Sequence, residues 1–180
     1  MVCRNCIINN ETCCTTYSHF ITLRDYKRIR SLGKKGFAEF RPLTAHDKRT
    51  ALYREKKHDY YYWLTKGGKI LQLKKGKDKR CMFLNKKNLC DIYQKRPLIC
   101  RMYPFWYDKK DKKLRLIVDH NGIDCCNFVK DRKEFDATFF KKAGCSKSLF
   151  LKLAKLLDRE IEEYRRADAK EIKKLIRPRN

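Results

Sequence analysis

Apolar positions along the chain repeat with two different periods. From Ser146 onward, Leu149, Leu153, Leu156, Leu157, Ile161, Tyr164, Ile172 and Leu175 recur at near-helical spacing, and Pro178 follows. That pattern predicts a long amphipathic helix. In ITLRDYKRIRSLG, Thr22 precedes Asp25 by three residues and Gly33 follows, the signature of a short capping-box helix. TAHDKRTALYREKK repeats the device with Thr44 and Asp47 and predicts a second helix over residues 45–57. DYYYWLTKGGKILQL alternates differently and reads as two strands joined at Gly67-Gly68. FWYDKKDKKLRLIVDH reads as a second hairpin with Lys109 to Lys113 at its tip. Between the hairpins lie a charged turn, Lys74 to Arg80, and a cysteine-rich loop over 81–104 with one helical turn near Ile92-Tyr93. The fold class expected is α+β. A small mixed domain of short helices, two hairpins and irregular cysteine-rich loops spans residues 1–145. The amphipathic helix over 146–180 packs on it or mediates association into an oligomer.

Composition sharpens this picture. A chain of 180 residues with 42% hydrophobic residues, 2 Trp, 10 Tyr and 10 Phe has the content of a folded core rather than a disordered chain. No apolar run approaches the roughly 18 residues needed to cross a membrane, so no membrane insertion is expected. The first residues, MVCRNCIINNETCC, lack the apolar core of an export signal, which suggests a cytoplasmic protein. Thiols stay reduced there, so the 10 cysteines point to metal binding or redox work before disulfides.

Charge adds a question about partners. The 46 Lys and Arg against 21 Asp and Glu give +25, which invites an acidic partner, either protein or nucleic acid. Four thiolates around a divalent metal carry −2, so two such sites would take +25 to +21 and leave the chain basic. The basic pairs are scattered beside turns and helix ends, with Lys favoured over Arg. That distribution reads as a solvated surface more than one phosphate-tracking stripe.

The cysteines fall into groups. Cys3 and Cys6 form a C-x-x-C pair, the spacing that lets two sulfurs converge on one metal, and Cys13-Cys14 follow. A redox dithiol is the other reading of Cys3 and Cys6, without the βαβ context that usually accompanies it. A bridge between Cys13 and Cys14 would be strained, because adjacent Cα atoms lie about 3.8 Å apart. In extended backbone their side chains would point in opposite directions, either to two metals or one to a metal and one to the core. Cys81, Cys90 and Cys100 make a second group, with a turn expected at Asn85 to Asn88 and Pro97 stiffening the approach to Cys100. Arg96 and Arg101 could offset thiolate charge, or simply make surface ion pairs. Cys125-Cys126 form the third group. Cys145 reads as a small buried hydrophobe, and His19 and His120 as reserve ligands.

Together these residues resemble the YkgJ-like cysteine-cluster family, the zinc- or iron-chelating CxxCxxCC proteins. The matching features are Cys3-x-x-Cys6, the Cys13-Cys14 pair, ITLRDYKRI, CMFL from Cys81, and CDIYQKRPLICRMYPF from Cys90 to Phe105, followed by Cys125 or Cys126. The resemblance spans residues 1–126. One departure stands out: six residues, IINNET, separate the C-x-x-C from the double cysteine, where the family usually has two. The resemblance implies metal chelation by zinc or an iron–sulfur cluster, with Cys3, Cys6, Cys13, Cys14, Cys81, Cys90, Cys100 and Cys125 as ligands.

Two other function classes compete. The family includes the flagellin lysine N-methylase, which raises a protein-lysine N-methylase-related enzyme. The chain has neither a G-x-G-x-x-G nucleotide loop nor the C-x3-C-x2-C triplet of radical S-adenosylmethionine enzymes. The aromatic run Tyr60 to Trp63 beside basic residues raises a nucleic-acid-binding module, although alternating aromatics more often mark a half-buried strand.

Overall fold

The computed structural model describes residues 13–16, 19–42, 65–66, 69–103, 105–110, 113–118, 140 and 146–176. The helix expected over 45–57 and the aromatic run Tyr60 to Trp63 lie outside the described residues.

A short helix, α1 (Cys13–Thr16), precedes α2 (Leu23–Arg30). The capping box that predicts α2 is present: Asp25 N–H donates to Thr22 Oγ1 at 3.0 Å, and Thr22 N–H donates to Asp25 Oδ2 at 3.1 Å. The helix unwinds into Gly33, whose φ of +74° is a conformation glycine adopts without steric cost. Next come β1 (Ala38–Pro42), β2 (Thr65–Lys66) and β3 (Lys69–Leu73), in the antiparallel order β1-β3-β2. Lys66 pairs with Lys69, so β2 and β3 pair as the two strands expected here; Gly67-Gly68 lies outside the described residues. Beyond β2, Ile21 N–H donates to the Leu71 carbonyl and Leu73 N–H to the His19 carbonyl, extending pairing along β3. Bordered on both edges, β3 is the centre of the sheet, and Ile70, Leu71 and Leu73 are buried.

Strand β1 is not among the expected strands: AEFRP alternates apolar and charged residues as a strand does, but it is short and ends in proline. Its register, Ala38 opposite Leu73 and Pro42 opposite Lys69, puts the proline at the strand end, where a missing N–H costs least.

After a 3₁₀ turn (Tyr93–Lys95) comes the one-turn helix α3 (Leu98–Met102). The second hairpin pairs β4 (Phe105–Lys110) with β5 (Lys113–Val118), Lys110 opposite Lys113, as the sequence pattern predicts. The long C-terminal helix is α4 (Lys147–Arg166), started by Ser146, whose Oγ accepts Leu149 N–H at 3.1 Å. Helical spacing runs on in sequence, but the backbone breaks at Ala167, which is extended. Asp168 then accepts Lys170 N–H at 2.7 Å and starts α5 (Ala169–Ile176).

The apolar face of α4 joins the same core as α2 and β3, through Leu153, Ala154, Leu157, Ile161 and Tyr164. Phe150 packs against Phe105 with the rings tilted and their centroids 4.6 Å apart. Helix α5 returns to α2, where Tyr26 Oη and Arg30 Nη1 each donate to the Leu175 carbonyl at 3.1 Å. Leu157 is 2% exposed, so Leu157→Ala is expected to cost about 2–5 kcal/mol in chemical denaturation. A loss under about 1 kcal/mol would mean that α4 is only loosely docked.

Candidate metal centre

Two tight turns prepare the site. In the first, Gly76 N–H donates to the Arg80 carbonyl at 2.8 Å, and Lys79 takes a positive φ of 63°. In the second, the Asn85 side chain accepts from Lys87 N–H at 2.9 Å and Leu89 N–H at 3.0 Å, and Asn88 takes φ 58°. This is the turn that Asn85 and Asn88 predict, since asparagine both bonds locally and tolerates left-handed backbone. Arg80 donates to the Asn88 side chain and joins the two turns. Each turn is closed by a bridge that ends on a cysteine, Lys75 with Cys81 and Leu84 with Cys90.

Cys81 N–H donates to the Cys14 carbonyl at 2.7 Å, bringing α1 to the first turn. Cys100 arrives on α3, whose start is fixed by Pro97, with φ −49°, and by Leu98 N–H donating to Asp25 Oδ1 at 3.0 Å. Helix α1 corrects the expectation of extended backbone at Cys13-Cys14. Adjacent side chains on a helix diverge by about 100° rather than 180°.

Cys14, Cys81, Cys90 and Cys100 are drawn from separate stretches of chain. Burial pushes the Cys81 thiol up to about 11; the Phe83 N–H and Lys75 pull against it, and Cys14 and Cys90 add to it. Burial also pushes Cys100 well above the ordinary thiol value, with Cys14 and Cys81 adding and Arg96 opposing. The residue itself is half-buried. Cys81 and Cys100 therefore each feel two other thiols of the group. Among the described residues, no three His, Cys, Asp or Glu side chains stand close enough together to hold an ion in this conformation. Cys3, Cys6, Cys125, Cys126, Cys145 and His120 lie outside the described residues, as does the side chain of Cys13. His19 is buried beside β3, where its carbonyl completes the sheet edge.

The donor chemistry suits a thiophilic metal. Buried thiols that raise one another's pKa are costly to ionise alone, and a cation among them reverses that cost. Thiolate sulfur is the donor type that zinc and iron–sulfur clusters share. Of the two arginines, Arg96 is the one whose charge acts on Cys100, and its guanidinium lies 3.8 Å from the Tyr93 ring centroid. Burial lowers the pKa of Arg101, and the charges acting on it are those of Arg28, Arg96, Asp25 and Glu160.

Sequence reasoning missed the buried polar group behind α3. Glu160 on α4 is 1% exposed and accepts from Thr22 Oγ1 at 2.5 Å and from Arg28 Nη1 at 2.6 Å. Arg28 also donates to Asp25, which is likewise 1% exposed. Asp25 thus serves three donors: the cap of its own helix, Arg28, and the first N–H of α3. A signal was available, because Glu160 falls three residues after Leu157 and four before Tyr164, inside the apolar stripe.

Burial raises the Asp25 carboxyl above its ordinary 3.8; Arg28 is the largest opposing influence, and Glu160 adds to the rise. A carboxyl raised on folding contributes stability that is fully present below its unfolded pKa and is lost as pH rises through the folded value. Asp25→Asn is therefore expected to flatten the pH dependence of stability above pH 4, read from urea midpoints across pH 4–7. An unchanged slope would exclude Asp25 as its source.

The family model CxxCxxCC, "Putative zinc- or iron-chelating domain", matches residues 2–135, and the chain belongs to this family. No curated protein and no solved structure matches the chain. No described helix is long and apolar enough to cross a membrane. Glu160 and the rest of α4 lie beyond the matched residues.

Proposed function

We propose that the protein is a metal-chelating protein whose centre is held by Cys14, Cys81, Cys90 and Cys100. Cys3, Cys6, Cys13 and Cys125 complete this site or build a second one. The observation that carries the reading is the backbone that gathers these cysteines: Cys81 N–H donates to the Cys14 carbonyl at 2.7 Å, the two turns close on Cys81 and Cys90, and Cys100 stands on α3. Cys81 belongs to the hydrophobic core and Cys14 and Cys90 pack against it, so the thiols lie in one neighbourhood and a bound metal would have to draw them closer. The bound group is zinc or an iron–sulfur cluster. As zinc it would staple loops that have little regular structure of their own, and as a cluster it would add one-electron redox capacity.

Iron, zinc and acid-labile sulfide per chain, measured on protein purified without oxygen, test the proposal and separate the two. About four iron and four sulfide per cluster identify [4Fe–4S]. One or two zinc ions without sulfide identify a structural centre. Protein that carries neither, and takes up neither on reconstitution under reducing conditions, sinks the reading.

A further inference from the structure

We infer that the two turns flanking Cys81 and Cys90 form a docking surface for an acidic protein. From Lys74 to Cys90 the chain has six Lys and one Arg against a single acid, Asp78, a net of 7 − 1 = +6 in one short segment. Lys74, Lys77, Lys79, Lys86 and Lys87 are all exposed. The hydrogen bond from Arg80 to Asn88 joins the two turns, so their lysines belong to one rim rather than to separate loops.

The rim is not purely charged. Met82 and Leu89 are each 40% exposed, and they are two of the four large hydrophobic residues exposed among the described residues. Exposed apolar residues on a segment of like charge suit a protein partner that is steered electrostatically and held briefly over a small interface. A single-stranded nucleic acid fits less well. No aromatic side chain is among the exposed large hydrophobics described, so stacking platforms for bases are missing there. The one guanidinium in the segment, Arg80, is engaged by Asn88 and Asp78. The inference rests on charge and exposure in the turns and holds whichever sulfurs bind metal.

The full chain, as purified, would be titrated into fluorescein-labelled probes and followed by anisotropy. The probes are polyglutamate, a random copolymer of glutamate and tyrosine, and oligothymidylate. The rim variant is Lys77→Glu with Lys79→Glu and Lys86→Glu. A control variant reverses three exposed lysines on α4 and α5, Lys152→Glu, Lys155→Glu and Lys173→Glu. Each variant lowers the net charge from +25 to +19, so only position differs. The rim variant is expected to lose about tenfold in affinity for the copolymer, and the control about twofold or less. Met82→Ser with Leu89→Ser is expected to weaken the copolymer about threefold and to leave polyglutamate unchanged. If a reversal variant fails to fold, the Lys→Gln versions at the same positions carry the comparison. Equal losses in rim and control variants would overturn the inference. So would oligothymidylate binding that is tighter than the copolymer and is lost with the rim.

Discussion

Replacing Cys100 by serine is expected to strip the protein of most of its metal and to lower its thermal midpoint by about 10 °C or more. The thiol stands on α3 and is acted on by Cys14 and Cys81, so its loss takes one sulfur from the group. Serine has nearly the same volume, but its oxygen is a poor donor to zinc or iron in a sulfur site. Packing alone could also lower the midpoint, and chelated protein separates the causes. If Cys100 is a ligand, wild type and variant melt together once metal is removed. If the gap persists in metal-free protein, the residue serves the core. Cys145→Ser is the companion control and is expected to keep its full metal content. Equal metal in Cys100→Ser and wild type would remove Cys100 from the ligand set.

Much of the framework was legible because its causes are local. Thr22 with Asp25 and Asn85 with Asn88 each act on backbone within a few residues and stand where the pattern predicts, and both expected hairpins are present as paired strands. Strand β1 was not legible, because AEFRP becomes a strand only through pairing with β3. The break at Ala167 escaped for a different reason. Apolar spacing continues through Ile172 and Leu175, while the change of direction rests on one extended residue and on Asp168 as a new cap.

The candidate centre divides in the same way. Cys81, Cys90 and Cys100 were proposed from the sequence because CMFL and CDIYQKRPLICRMYPF combine cysteines with turn-forming residues at defined positions. What those motifs cannot specify is the side chain that supports α3 from behind. Asp25 reads locally as a cap, and its bond to Leu98 spans residues far apart in sequence. Burial of Glu160 is a tertiary fact: a carboxylate on an apolar stripe is tolerated only where Thr22 and Arg28 await it.

Arg28→Met is accordingly expected to cost about 3–5 kcal/mol at neutral pH, the largest stability loss of any charge substitution in the described structure. The pair it breaks is no surface ion pair like Arg24 with Glu163, which is exposed on both sides and worth little. Methionine fills most of the same space but leaves Asp25 and Glu160, each 1% exposed, facing one another without a cation. The pH dependence identifies the cause. Arg28 is the largest influence holding the Asp25 carboxyl down, so removing it lets that carboxyl rise further. The folded variant then binds a proton that the unfolded chain releases above its ordinary 3.8, and stability falls as pH rises across that window. The deficit relative to wild type should be greatest near pH 7 and should shrink toward pH 4. Arg28→Lys, which keeps the charge but loses the fork that spans both acids, should fall between the two. A deficit under about 1 kcal/mol, or one that ignores pH, would show that the acids are satisfied without Arg28. Because Asp25 also holds the first N–H of α3, the same substitution is expected to speed metal loss to a chelator while every cysteine remains in place. That pairing of a pH-dependent stability loss with faster metal release is what separates a support for Cys100 from an ordinary core ion pair.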